Sequence, residues 1–444
     1  MDLIKLGKQL FPLNRSLTGK GSLQTLKILR GKIPKLKIKN FRSGKKVYDW
    51  KIPDEWNVLD AYVKDKYGKK IINFKDNNLH LVGYSEPYKK KINKVELFKH
   101  LHDLETLPNA IPYVTSYYNK YWGFCVSHNK KKFFNKKYKD EDKFDVFVES
   151  KFNKKGCMHY GELVLPGQSK KEILISTYIC HPSMANNELS GPLVAIALIK
   201  SFSKLKLKKT IRFVFVPETV GSIAYINRNI KHLKKNVIGG YVLTCIGDNR
   251  NYSIIRTKYE NSLSDKAATN AFKELKIKFK KYPFLQRGSD ERQYNSPGVD
   301  LKIGVIMRSK PATYKEYHTS LDDFRLVNKS GLKGGYKVAK KAIENLLEMD
   351  DIKKNETKKK NKTTNPKCKF LCEPNLGKRG LYNLLGVSSF GNSAFKTQSR
   401  KLLDFLQYSD GTNNLNEIST YINLNLKKTK TIYNLLKRNN LILK

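Results

Sequence analysis

The sequence contains no run of 18 or more uninterrupted apolar residues, the length that a membrane-spanning helix needs. Its first twenty residues lack an apolar core followed by a small-residue cleavage site, so no secretory signal is predicted. Only six of the 444 residues are cysteines, and they are scattered apart from Cys368 and Cys372. This usage is typical of buried thiols in a reducing compartment and not of a disulfide framework, so we expect a cytoplasmic protein.

Acidic residues are also scarce, with 39 Asp and Glu against 87 Lys and Arg, which gives a formal charge of +48. A charge of this size is typical of nucleic-acid binding. However, 73 of the basic residues are lysine, they are spread through every region, and Asn, Ile and Tyr are abundant as well. The composition therefore favours an AT-rich coding bias over a selected nucleic-acid partner, although anions would still be attracted non-specifically.

A chain of this length is predicted to hold two or three domains. Residues 1–44 show two amphipathic helical patterns, and residues 45–135 show short alternating strands that predict a small inserted β-rich domain. In residues 136–350, apolar strands alternate with helices, which predicts an α/β domain with a helix-flanked sheet that includes residues 1–44. Its strands are expected at 172–177, 210–217, 239–246 and 301–308, and its helices at 189–204, 221–234, 261–277 and 327–349.

Residues 351–367 contain almost no apolar side chains and are predicted to be a solvated linker to a domain at 368–444. That domain shows three helical stretches and a short β tail, the outline of a winged helix. DNA binding is one function of such a module. A packing or protein-interaction role is favoured, because the third helix carries apolar Ile432, Leu435 and Leu436.

Polar side chains follow several predicted strands, most conspicuously in the stretch STYICHPSMANNELSGP at residues 176–192. His181, Glu218, Asp248 and His318 each come after a strand, where ligands bind in open α/β sheets. Zinc selects imidazole and carboxylate ligands, and a glutamate beside a zinc-bound water can act as a general base. For a single histidine, a buried structural role is an equal alternative; the recurrence at strand ends favours one shared site.

Many specific motifs occur in the same order as in one known family. They are LFPLNRSLTG, VYDWKIPDEWNVLDAYVKD, NNLHLVGYSEPY, CHPSMANNELSGP, VPETVGSIAYI, LTCIGDNR, RGSDERQYNSPGVDL, EYHTSLDDF and CEPNLGKRGLY. Through them nearly the whole chain resembles the bacterial aminopeptidase-like family that joins a zinc-exopeptidase domain, a small inserted β domain and a C-terminal winged helix. The wider superfamily is that of the co-catalytic zinc aminopeptidases and carboxypeptidases. The resemblance implies a mixed central sheet flanked by helices.

The resemblance also implies roles for individual residues. His181 matches the first metal-binding histidine and His318 the last. Glu218 matches the general base. Asp290 matches an aspartate that lies close to the metal ligands or contacts the substrate.

Several positions depart from the superfamily pattern. Asn187 stands where an aspartate bridges two metals, and the neighbouring Glu188 is a candidate replacement. Thr219 and Thr244 stand where two further carboxylate ligands lie, with Asp248 as a candidate replacement for the second. An amide oxygen is a poorer zinc ligand than a carboxylate, so the loss of these carboxylates would weaken a two-metal site. The expected cofactor is one or two zinc ions.

The function that these residues indicate is a metal-dependent, aminopeptidase-like hydrolase acting on a peptide or an amide-bearing small molecule. The resemblance adds an association with surface-polysaccharide biosynthesis. Two alternatives are a catalytically inactive ligand-binding scaffold and a DNA-binding regulator that acts through the winged helix. The sequence leaves the oligomeric state undecided.

Overall fold

The structure is a computed structural model that describes residues 1–350, 365–382, 386–387 and 397–443. Most of the linker expected at 351–367 therefore lies outside the described residues. Within the described ranges, no helix is both long enough and apolar enough to cross a membrane.

The strands and helices of the described ranges are numbered in chain order. The strands are β1 Lys37–Arg42, β2 Lys46–Val47, β3 Trp50–Lys51, β4 Glu55–Lys64, β5 Lys70–Asn73, β6 Tyr88–Asn93, β7 Leu101–His102, β8 Val114–Thr115, β9 Phe124–Cys125, β10 Lys143–Asn153, β11 Cys157–Leu165, β12 Ser169–Tyr178, β13 Lys209–Val216, β14 Val237–Leu243, β15 Ser253–Ile255, β16 Lys280–Tyr282, β17 Ile303–Met307 and β18 Gly386–Val387. The helices are α1 Leu3–Leu10, α2 Lys20–Lys32, α3 Lys94–Lys99, α4 His128–Lys137, α5 Ser190–Phe202, α6 Val220–Asn236, α7 Leu263–Glu274, α8 Glu291–Tyr294, α9 Lys329–Glu348, α10 Gln398–Tyr408, α11 Leu415–Tyr421 and α12 Leu426–Arg438.

Among these elements, eight strands form the main sheet in the order β1-β11-β13-β12-β14-β17-β15-β16. The four central strands, β13, β12, β14 and β17, are parallel, so their carboxyl ends lie at one edge. The chain passes from β12 through α5 to β13 on one side, and then through α6 to β14 on the other side of β12. The carboxyl end of β12 is thus a topological switch point, where open sheets bind ligands.

The central strands are buried on both faces, because helices and the small domain cover the two sides of the sheet. Ile173 and Ile175 of β12 pack with α5, α7 and α9 on one face. The intervening Leu174 packs on the opposite face with residues of α6. This period-2 alternation in a wholly apolar run is typical of a parallel sheet buried on both faces. The expected α/β class is confirmed, and each expected strand and helix of residues 136–350 overlaps an observed element.

The small domain is built on an antiparallel sheet with the order β5-β4-β10-β6 in the described ranges. Its central strand β10 lies beyond the boundary expected at residue 135. Conversely, β1 comes from the region expected to be helical and forms the edge of the main sheet against β11. Both differences arise from long-range strand pairing, which local sequence patterns do not report.

The C-terminal domain has the expected winged-helix outline, with α10, α11 and α12 followed by a β tail. Cys368 pairs with Ile442 of that tail through an isolated antiparallel β-bridge, and Lys367 pairs with Asp410 in the same way. The module packs on the main domain, because Asp404 of α10 forms an ion pair with buried Arg287 at 2.5 Å.

Candidate functional site

Three of the expected site residues meet at the carboxyl edge of the main sheet. His181 follows β12, Glu218 follows β13, and His318 lies in the loop between β17 and α9. The ring centroids of the two histidines are 5.2 Å apart, and Nε2 of His181 lies 3.7 Å from Oε2 of Glu218. The parallel order of the strands thus brings together side chains that lie far apart in the chain.

Glu188 orients the His181 ring. Its Oε2 lies 2.7 Å from Nδ1 of His181, while its other carboxylate oxygen lies 3.7 Å from Nε of the buried Arg15. Burial alone would lower the pKa of His181, but the adjacent Cys180 and the Glu188 carboxylate raise it well above its ordinary value. With Nδ1 held by a carboxylate, Nε2 faces Glu218, which is the arrangement that metal-binding histidines use.

The opposite pKa shift is found at His318. Burial, and next the charge of His181, lower the pKa of His318 well below its ordinary value. Its ring stacks on Tyr317 with centroids 3.9 Å apart, and Tyr113 contacts both histidine rings edge-on. A neutral imidazole is the form that binds a metal ion, so His318 is already in that form, whereas His181 would have to release a proton first.

The residues between His181 and α5 form a single turn of π-helix, Ala185–Leu189. Asp322 accepts hydrogen bonds from the backbone N–H groups of Asn186 and Asn187 at 2.6 and 2.9 Å. The side-chain amide of Asn187 donates to the Tyr178 hydroxyl at 2.8 Å. Its Oδ1 is buried and accepts no hydrogen bond within the described ranges. A buried acceptor without a donor is suited to a cation.

Asp248, an expected candidate metal ligand, has its carboxylate occupied by protein donors. Its carboxylate accepts four hydrogen bonds, from the Asn186 amide, from Arg250 N, and from both the N–H and the hydroxyl of Ser309. Four donors saturate the lone pairs of a carboxylate. Asp248 therefore braces the loop after β14.

Thr219, at the position of an expected carboxylate ligand, forms a strained turn after β13. Its φ and ψ are 62° and −79°, and Val220 N donates to the Glu218 carbonyl at 2.8 Å, as in a γ-turn of the rare, strained kind. The buried Asp290 accepts from Thr219 N and from the Ser222 hydroxyl, both at 2.8 Å. Burial, and next the charge of Glu218, raise the pKa of Asp290 to about 7. Asp290 thus acts on the site through the turn that carries Glu218.

Sequence reasoning missed two of the groups around His181, namely Cys180 and Arg15. The ligand atoms of Cys180, His181 and Glu188 lie within 4.8 Å of one another, and all three residues are buried. Burial raises the pKa of the Cys180 thiol to about 11, so the thiol is neutral when no cation is bound beside it. Two features of the sequence could have pointed to these residues. Arg15 belongs to the motif LFPLNRSLTG, and Cys180 directly precedes His181.

A cleft of about 750 Å³ lies over these residues. His181, Glu218 and His318 line it from the main domain, the segment around Trp50 and residues 113–119 line it from the small domain, and residues 373–378 line it from the C-terminal domain. The volume is in the range of small-molecule sites and leaves room for more than one amino acid or sugar ring.

Several side chains at the site offer ligand atoms for a cation. His181, His318 and the Asn187 oxygen offer ligand atoms of the kinds that zinc binds. A second ion would need carboxylates at positions 219 and 244. Instead, Thr219 and Thr244 supply hydroxyl groups, and the Thr244 hydroxyl already donates to the Asn187 carbonyl at 3.0 Å.

The fold and the arrangement of strand-end residues define an aminopeptidase-like protein with a C-terminal winged helix. Residues 4–350 match the family described as a domain of unknown function, DUF4910, and residues 363–444 match a winged helix-turn-helix family. The chain belongs to the DUF4910 family. It is 38% identical over 429 residues to a Clostridium acetobutylicum protein described as a proposed polysaccharide biosynthesis protein with an aminopeptidase-like domain. That match covers 97% of this chain and 93% of the relative.

Solved structures support the same fold. A crystal structure of a proposed peptidase from Clostridium acetobutylicum is 36% identical, with a TM-score of 0.74, and the match covers 99% of this chain and 95% of that one. The zinc aminopeptidase BSAP from Bacillus subtilis has a TM-score of 0.56 at 12% identity, covering 77% of this chain and 92% of that one. At that identity the similarity shows the fold alone.

Proposed function

We propose that this protein is a metal-dependent hydrolase that cleaves an amide or peptide bond. The observation that supports the proposal is the position of Glu218. Its carboxylate lies 3.7 Å from Nε2 of His181, and its side chain is 19% exposed and lines the cleft. A carboxylate that close to the imidazole can accept a hydrogen bond from a water molecule bound beside both groups in the cleft.

In the proposed hydrolysis, the side chains of the site have different roles. A zinc ion held by His181, His318 and Asn187 would, when bound, polarise the scissile carbonyl and lower the pKa of a water molecule. Glu218 takes the proton from the attacking water and passes it to the leaving amine. Glu188 keeps Nε2 of His181 directed at the site, and Asp290 holds the turn that carries Glu218.

The proposed substrate is an amide on an amino sugar or a short peptide-bearing precursor. The name of the clostridial relative supports a link to polysaccharide biosynthesis. The small domain and residues 373–378 enclose the cleft from two sides, so a long polypeptide would not lie through it. This is the geometry expected of an enzyme that acts on small or terminal groups.

The test is the variant Glu218→Gln, which keeps the shape of the side chain and removes the base. We expect the bound metal to stay constant and the hydrolysis rate to fall by about 10²- to 10⁴-fold, the usual contribution of a positioned base. Metal content and turnover are measured together, on a panel of aminoacyl amides and N-acylated amino sugars.

Two further variants complete the test. Glu141→Gln, at an exposed position outside the cleft, should keep both metal and turnover. His181→Ala should lose at least about tenfold in metal affinity, because it removes a ligand and not merely a group that supports one. Full turnover in well-folded Glu218→Gln protein, or an unchanged metal content in His181→Ala, would contradict the proposal.

A further inference from the structure

Two lysines lie directly opposite each other at the rim of the cleft. Lys46 of β2 and Lys51 of β3 are cross-strand partners in a two-stranded hairpin, and both are exposed and line the cleft. Like charges at directly opposed positions destabilise a strand pair. Within the described part of the chain, neither ammonium group forms an ion pair or lies over an aromatic ring. The hairpin therefore carries a double positive charge that those residues do not compensate.

Another lysine pair in the same domain shows how the fold otherwise compensates for such a contact. Lys64 and Lys70 are also cross-strand partners, in the β4–β5 pair. Lys70 lies 4.0 Å from the Asp60 carboxylate, and both ammonium groups lie over the Tyr62 ring, at 5.3 and 4.2 Å from its centroid. That pair lies outside the cleft. The contrast indicates that the charge at Lys46 and Lys51 is left available for a ligand.

Two aromatic residues line the same cleft as the two lysines. Trp50 and Tyr118 both line the cleft, with ring centroids 5.9 Å apart. Trp50 Nε1 donates to the Glu373 carbonyl at 2.8 Å, and the Tyr118 hydroxyl donates to the Lys51 carbonyl at 2.7 Å. Both rings are thus held in place by their polar atoms, and as lining residues of the cleft they can contact a ring of the ligand.

From these contacts we propose that the outer part of the cleft binds an acidic sugar, with Trp50 and Tyr118 contacting the sugar ring and Lys46 and Lys51 binding its phosphate or carboxylate. The inference rests on the proposed hydrolase in one respect, since it names the class of substrate that the same cleft would accept. Phosphate and carboxylate share the required chemistry, because each presents an anionic oxygen to an ammonium group.

Direct binding measurements test this inference without requiring turnover. Isothermal titration calorimetry at low salt compares N-acetylglucosamine 1-phosphate, glucuronic acid, neutral N-acetylglucosamine and an acidic dipeptide, with Glu218→Gln protein as the receptor. We expect at least one acidic sugar to bind about tenfold or more tightly than the neutral sugar, with affinity falling as salt is added. The better of the two acidic sugars identifies which anionic group the site takes.

Two charge-matched double variants locate the site. Lys46→Ala/Lys51→Ala should weaken the acidic sugar about tenfold and leave the neutral sugar unchanged. Lys64→Ala/Lys70→Ala removes the same two charges from the molecule and should bind as the wild type does. Circular dichroism checks that both variants fold, and Lys46→Gln/Lys51→Gln replaces the first variant if it does not.

Several outcomes would overturn the inference. These are equal affinity for neutral and acidic sugars, tighter binding of the acidic dipeptide than of either acidic sugar, no binding of any acidic sugar, and equal weakening in both double variants. Equal weakening would mean that the overall positive charge, and not this hairpin, attracts the anion. A protein that binds acidic sugars but hydrolyses no amide would refute the proposed function alone.

Discussion

At the scale of single residues, the order Asn187-Glu188 determines what the site can hold. The carboxylate of Glu188 lies on the Nδ1 side of His181, where it fixes the ring and contacts Arg15. The amide of Asn187 keeps one oxygen without a hydrogen-bond partner within the described ranges. The carboxylate therefore orients the imidazole, and the amide oxygen is left without a protein donor in the described part of the chain.

The buried Asp290 gives the protein a pH-dependent stability. Its pKa is raised from 3.8 to about 7 by burial and next by the charge of Glu218, so the folded state holds a proton that the unfolded state releases at lower pH. The stability that this proton contributes is complete below about pH 4 and is lost as the pH rises through 7. Asp290→Asn mimics the protonated form at every pH and should remove this loss.

Urea unfolding at pH 5 and pH 8 measures the effect. Between these values we expect the unfolding free energy of the wild type to fall by about 2–3 kcal/mol relative to that of Asp290→Asn. Ser222→Ala removes one donor to the same carboxylate without removing the titrating group, so it should retain a fall in stability with pH. Because that donor lowers the pKa of Asp290, its loss should shift the fall to higher pH. Parallel pH profiles for the wild type and Asp290→Asn would show that Asp290 does not titrate in this range.

At the scale of elements, the close approach of α5 to the sheet determines where the π-helical turn lies. A methyl group at Gly191 would lie 2.3 Å from the Leu243 carbonyl oxygen and 2.3 Å from the Thr177 hydroxyl. Only glycine allows this approach, and Asn187 and Glu188 occupy the turn immediately before it. The position of the site residues thus depends on backbone contact between α5, β12 and β14.

Gly191→Ala tests this dependence. Overpacking against backbone should lower the unfolding free energy by about 2–3 kcal/mol and reduce metal affinity, because the turn must shift. Gly31→Ala is the matched control, since a methyl group there meets nothing within 4 Å in the helix α2. It should stabilise the protein by about 0.5 kcal/mol. Equal stabilities for the two variants would contradict the close-approach explanation.

At the scale of the whole molecule, the C-terminal domain is part of the cleft. Glu373 accepts a hydrogen bond from Gln407 of α10 at 3.0 Å and lies 3.6 Å from Nε of Arg292. Arg292 in turn donates to the Thr219 hydroxyl. A chain of polar contacts therefore connects the winged helix to the turn that carries Glu218, which favours the packing role expected for this module.

Cleavage of the chain between the main domain and the C-terminal domain should not separate these two domains. With a protease site inserted into residues 351–364, cleaved wild-type protein should elute as one complex in gel filtration. Arg287→Met should dissociate the cleaved protein, because it removes the buried cation that joins Asp404 and Glu373 to the main domain, a loss of about 3 kcal/mol. Asp404 then keeps its contact with Arg400, and Glu373 its contact with Arg292. Arg325→Met, at an exposed ion pair, should have no effect. Separate elution of the cleaved wild-type fragments would show that the interface is weak.

The sequence by itself determined the class of fold and the main candidates for the site. Apolar strands alternate with helical patterns, and His181, Glu218 and His318 each follow a strand, so their meeting at one edge follows from parallel strand order. Only the tertiary structure decided the roles of Glu188 and Asp248. The Glu188 carboxylate contacts the His181 imidazole, whereas the Asp248 carboxylate accepts four hydrogen bonds from protein groups. These contacts depend on how the chain folds in three dimensions, which no local sequence pattern reports. For the same reason the sequence did not predict that β1 joins the main sheet or that β10 joins the small domain, because each strand pairs with a strand distant in the sequence.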